Sequence, residues 1–167
     1  MRGVYILADN RSIGVFDSGL GGLTVVKELC RILPNEDIVY FGDTGRVPYG
    51  TRSAETIVKY AKEDEKFLLS HDVKLIIAAC GTVSSVASHT ASSLPVPFIE
   101  VVTPASKAAV KATKNGKIGV IGTAGTIKSN KYAEIINSIS PEAEVFSKAC
   151  PMFVPLVENG YAESEAA

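Results

Sequence analysis

The chain has 167 residues, a formal net charge of −1 and 46% hydrophobic residues, which suits one domain or one and a half small ones with a genuine core. That composition excludes a disordered chain, and the scattered charges exclude a clustered basic surface for nucleic acid. The longest apolar runs, such as LIIAAC (75–80), are far shorter than the roughly 20 residues a membrane span needs.

The opening MRGVYILADNRS carries a short apolar patch, too short for the apolar region of a signal peptide. SIGVFD (12–17) reads as an apolar strand. GLTVVKELCRILP (22–34) places Val25, Val26, Leu29, Ile32 and Leu33 on one helical face, and Pro34 marks its end. DIVYFGD (37–43) reads as a second strand. A helix is predicted from Ser53, with Thr56 where a glutamate would complete a capping box and with Ile57, Tyr60, Ala61, Phe67 and Leu68 at helical spacing. KLIIAAC (74–80) is nearly continuous apolar sequence, the pattern of a strand covered on both faces.

Beyond it the pattern predicts a Ser/Ala-rich helix over 83–93, a strand over 97–102 and a helix over 104–114 with Pro104 in its first turn. A strand over 117–123, a helix over 126–139 and a strand over 144–150 follow. VPLVENGYAESEAA is polar and predicts no closing element. This alternation argues for an α/β fold with a mainly parallel sheet flanked by helices. A weak boundary near 102–104 divides the chain into 11–102 and 103–167.

In open α/β sheets ligands collect at the carboxyl ends of the strands, and four segments fall there. In FDSGLGG (16–22) the glycines permit a tight turn that exposes N–H groups to an anion. Asp17 and Ser18 add an acceptor and a hydroxyl, although Asp17 reads equally well as a helix cap. Thr24 stands where a dinucleotide-binding fingerprint needs its third glycine. GDTGRVPYG (42–50) is a long loop with Tyr49 between Pro48 and Gly50, either functional or a plain surface turn. ACGTVSS (79–85) puts Cys80 at a helix start, where the dipole and free N–H groups favour a thiolate. An inert buried cysteine is the competing reading. GTAGT (122–126) offers the hydroxyls of Thr123 and Thr126, which suit a carboxylate or a simple cap.

The three cysteines, Cys30, Cys80 and Cys150, are widely spaced and odd in number, which fits neither a disulfide framework nor a metal site. Reduced thiols in the cytoplasm are expected, with Cys30 an inert core thiol on its helix. His71 and His89 keep no familiar spacing to Cys80 and are given no role; His71 is expected in solvent.

In order, IGVFDSGLGGLTVVKEL, YFGDTGRVPYG, AACGTVSSVA, IGVIGTAGTIKSNKY and CPMFVPLVENG resemble the glutamate racemases of the aspartate/glutamate racemase superfamily, from about Ser12 to Gly160. The resemblance implies two similar α/β domains around a cleft. It implies interconversion of L- and D-glutamate, for peptidoglycan, with no cofactor and no metal. The Cα–H of an amino acid is a very weak acid, so a base must touch it while the developing charge is stabilised. Inversion then needs a second group on the opposite face, and the family uses two cysteines. Cys80 matches the first. Asp17 and Ser18, Tyr49 and Gly50, and Gly81 and Thr82 match substrate-contacting pairs. The implied partner is a small acidic amino acid, with neither nucleic acid nor membrane; a homodimer stays open.

Two departures stand out. Gly81 occupies a position where the family usually has Asn, and the lost hydrogen bonds to a charged ligand are worth roughly 1.5–3 kcal/mol each. The family's second cysteine lies in a Gly-Cys-Thr-His segment that has no match here, and Cys150, followed by Pro151, belongs to a block the family keeps for structure. The chain is therefore expected to be an amino-terminal portion of the fold, incomplete at its carboxyl end. MRGVYILADN is then expected to reflect an upstream start rather than a folded element. Two alternatives remain: a truncated or degenerate product that only binds acidic amino acids or is inactive, and a racemase for aspartate or a related acid. A chain with unclosed sheet edges is expected to be marginally stable and prone to aggregate.

Overall fold

The structure is a computed structural model that describes residues 9–161 and 163. The apolar patch of the first eight residues, where the upstream start was expected, lies outside the described residues.

Four strands, β1 (Ile13–Asp17), β2 (Ile38–Gly42), β3 (Leu75–Ala78) and β4 (Phe98–Glu100), form a parallel sheet in the order β2-β1-β3-β4. Side chains alternate between two buried faces. Ile13, Val15 and Ile77 pack with Val25, Val26 and Leu29 of α1 (Leu23–Ile32). Phe16, Ile76 and Ala78 share a second cluster with Ile57, Ala61 and Leu68 of α2 (Ala54–Leu69). Burial on both faces is why β1 and β3 are apolar without a polar alternate. The chain leaves β1 for β2 on one side and β3 for β4 on the other, so a crevice opens at the carboxyl ends of β1 and β3.

A second parallel sheet pairs β5 (Lys117–Gly122) with β6 (Glu144–Ala149). Ile118 and Val120 on one face pack with Ile136 of α6 (Lys131–Ile139), and Val110 of α4 (Val102–Ala112) joins the cluster. The other face carries Ile121 and Phe146, 64% and 57% exposed.

Ser53 caps α2 as expected, its Oγ accepting the Thr56 N–H at 3.2 Å. Several expectations need correction. The predicted 83–93 helix is α3 (Gly81–Val86) followed by a 3-10 turn over Ser88–Ser93. The next helix starts at Val102, two residues early, because the Glu100 carboxylate accepts the Thr103 N–H at 2.9 Å and caps it. The predicted 126–139 helix is broken into α5 (Ala124–Lys128) and α6 by Asn130, whose φ of 57° is left-handed; asparagine tolerates that conformation better than most residues. Ile32 and Leu33 do not join the buried face of α1, being 52% and 40% exposed. Cys30 is exposed on α1 rather than a core thiol. The carboxyl stretch, where no further element was predicted, contains a short helix, α7 (Phe153–Glu158).

Candidate active site

All seven residues singled out in the sequence line one cleft of about 380 Å³: Asp17, Ser18, Tyr49, Gly50, Cys80, Gly81 and Thr82. They come from the three loops that follow β1, β2 and β3, brought together by the strand order at the crevice.

Asp17 ends β1 and is buried. Its Oδ2 accepts the N–H groups of Gly22 at 3.0 Å and Gly19 at 3.3 Å, so it does cap the turn into α1 while also lining the cleft. Tyr40 of β2 steadies the same turn from below, donating its hydroxyl to the Gly19 carbonyl at 2.7 Å.

Cys80 is the N-cap residue of α3 and is 3% exposed. Its sulfur donates to Ser18 Oγ at 3.4 Å and accepts the Val83 N–H at 3.5 Å. Burial pushes the thiol up to about 11, and the neighbouring Asp17 charge adds to the rise, outweighing the hydrogen bonds from Ser18 and Val83. The helix start therefore does not make Cys80 a resting thiolate. An ammonium brought beside it would oppose both causes, since a nearby cation favours the charged form.

Tyr49 reaches the cleft beside Gly50, but its phenol is turned inward, bonded to Asp43 and Asp64 and packed on Tyr60 at 5.1 Å between rings. What this pair presents to a ligand is chiefly backbone. Gly50 is required by close approach: a Cβ there would collide with the Thr123 side chain. Gly81 is the opposite case, since a Cβ there would meet nothing within 4 Å.

The facing wall comes from the elements after β5 and β6. Thr123 caps α5 and links hydroxyls with Thr82 and Thr126, each at 3.0 Å. The GTAGT segment is thus a cap and a hydroxyl cluster at once. Phe153, Val154 and Val157 add an apolar side, and Glu158 Oε1 accepts the Leu20 N–H at 2.9 Å. Glu158 was missed from the sequence, because nothing in VPLVENG signals a reach of 138 residues back to the first glycine turn. Among the described residues lining the cleft there is no Lys, Arg or His, and Cys80 is the one thiol. Cys150 does not line it; its sulfur lies 3.8 Å from the Lys148 carbonyl. His71 is exposed and bonded to the Phe67 carbonyl, as expected, and His89 is also exposed.

The arrangement sorts by charge. Asp17 and Glu158 suit an ammonium group. The hydroxyls of Ser18, Thr82, Thr123 and Thr126 suit carboxylate oxygens. A thiol stands between them. Among the described residues no group of His, Cys, Asp and Glu is placed to hold a metal ion, and no helix is long and apolar enough to cross a membrane.

No protein-family model matches the sequence. A glutamate racemase of Geobacter metallireducens is 49% identical over 158 residues, covering 94% of this chain and 58% of that protein. One of Syntrophus aciditrophicus is 52% identical over 150 residues, covering 89% of this chain and 56% of that protein. The crystal structure of glutamate racemase from Francisella tularensis, in complex with D-glutamate, superposes with a TM-score of 0.88 at 46% identity, covering 95% of this chain and 60% of that one. The chain thus spans a little under three fifths of the length of these curated relatives. Over that span the chain is similar to these glutamate racemases in sequence and in fold.

Proposed function

We propose that this chain supplies one proton-transfer face of a cofactor-independent glutamate racemase, with Cys80 as the group that exchanges the Cα proton. Residues 11–102 then form the lobe that carries the thiol, and 103–167 form part of a lobe facing it. The observation that carries this is the convergence of the three strand-end loops on one buried thiol, in a cleft that offers carboxylates to an ammonium and hydroxyls to carboxylate oxygens.

The substrate ammonium sits by Asp17 and Glu158, and its carboxylates take hydroxyl and N–H donors. Entry of the ammonium lowers the cost of ionising Cys80, whose proton leaves to solvent. The thiolate then takes the proton from Cα, and the electron pair left behind spreads into the α-carboxylate, held by the same donors. Returning the proton from sulfur restores the starting enantiomer. Inversion needs delivery to the other face, from a group this cleft does not show among its described residues. In a full racemase the D-glutamate formed would serve peptidoglycan synthesis, in the cytoplasm.

A second reading, binding of acidic amino acids without turnover, is favoured by two observations. Cys80 is the one thiol in the cleft, and Gly81 brings no side chain to the ligand.

Thiol alkylation tests occupancy. L- or D-glutamate should slow alkylation of Cys80 and leave that of exposed Cys30 unchanged, read by peptide mass spectrometry. Equal rates at Cys80 with and without glutamate would contradict both readings.

A further inference from the structure

Behind the cleft, the loop that delivers Tyr49 and Gly50 is anchored by a buried polar cluster. The Tyr49 phenol oxygen lies between two carboxylates, bonded to Asp43 Oδ2 and, at 2.9 Å, to Asp64 Oδ2. Asp64 belongs to α2 and has no solvent exposure; its other oxygen accepts from Arg46 Nη2 at 2.8 Å. Arg46 also bonds Asp43 and Glu63, and its guanidinium lies 4.3 Å over the Tyr60 ring. The titratable and charged groups facing Asp64 are thus Asp43, Arg46 and Tyr49 from the loop after β2, with Glu63 and Tyr60 from α2.

Two counts bear on where the protons lie. A phenol has one proton and donates to one carboxylate. The other carboxylate in contact with the phenol oxygen must bring a proton of its own. One guanidinium also faces three carboxylates, so full ionisation would leave buried negative charge uncompensated. The Glu63 side chain is 48% exposed and Asp43 9%, whereas Asp64 is at 0%, so ionisation costs most at Asp64.

We propose that Asp64 is a positioning residue: as a neutral acid it donates to the Tyr49 phenol, which donates to Asp43, and this relay locks the loop carrying Tyr49 and Gly50 against the cleft. Burial pushes the Asp64 carboxyl up to about 7. Above neutral pH the acid loses its proton, its contact with the phenol oxygen loses its donor, and the loop loosens. Any consequence of the loosened loop for glutamate binding rests on the function proposed above; the lock itself does not.

The test uses the full chain and Asp64→Asn. The amide of Asn donates to Tyr49 and accepts from Arg46 without titrating. The unmodified chain should show the infrared carbonyl band of a protonated carboxylic acid that Asp64→Asn lacks. Amide protection over residues 44–52 should fall about tenfold between about pH 6 and about pH 8 in the unmodified chain and stay flat in Asp64→Asn. Asp64→Leu, which can do neither, should lose protection at both pH values. The inference is overturned if Asp64→Asn removes no such band, or if the pH-dependent protection persists in it. A glutamate titration on the same samples separates the two claims. No binding by the unmodified chain, with the band and loop responses as expected, sinks the proposed function and supports the lock.

Discussion

Burial holds the Cys80 sulfur protonated at neutral pH, and this ties the site to stability. A folded-state value raised above the unfolded one contributes stability that is present below the unfolded value, near 9, and lost as pH rises through about 11. The melting temperature of the unmodified chain should therefore fall across that window more steeply than that of Cys80→Ala, by differential scanning fluorimetry. Parallel curves would show that Cys80 does not carry the linkage. Gly81 tests the ligand side. Its Cβ direction is open, and it begins α3, so Asn fits without a clash. One regained hydrogen bond to a charged ligand is worth about 1.5–3 kcal/mol, so Gly81→Asn should tighten glutamate binding about tenfold or more by calorimetry. Unchanged affinity would place the ligand away from α3.

At the scale of elements, the cleft depends on how closely the loop after β2 meets α5. Gly50→Ala would drive a methyl group into Thr123, where no flexible side-chain end can yield. It should cost about 1–3 kcal/mol in urea unfolding and weaken glutamate binding, while Gly81→Ala should cost little. Equal costs would mean that the loop and α5 separate freely. The first three strands and the loops after them were legible because each is an apolar run followed closely by Gly, Asp or Cys. Other features were not. The break at Asn130 is a single left-handed residue inside a good helical pattern. The inward turn of the Tyr49 phenol is set by Asp43 and Asp64, the latter from a helix whose sequence reads as merely charged. Glu158 joins the cleft through a contact between distant segments, which local periodicity does not encode.

For the whole molecule, the second sheet is the exposed part. Parallel sheets are usually covered on both faces, yet Ile121 and Phe146 share an open face, and Met152, Phe153 and Val157 are also exposed nearby in the chain. Sedimentation of the 167-residue chain should show concentration-dependent self-association that Phe146→Lys reduces; a monodisperse monomer at all concentrations would contradict this. We propose above that the loops after the first three strands make Cys80 a Cα proton-exchange site. Its most direct test is proton NMR of enantiopure L- and D-glutamate in heavy water with the full chain and with Cys80→Ala. Cys80-dependent loss of the Cα–H signal is expected from one enantiomer, faster than its conversion to the other. No loss from either enantiomer, or equal loss with Cys80→Ala, would contradict it.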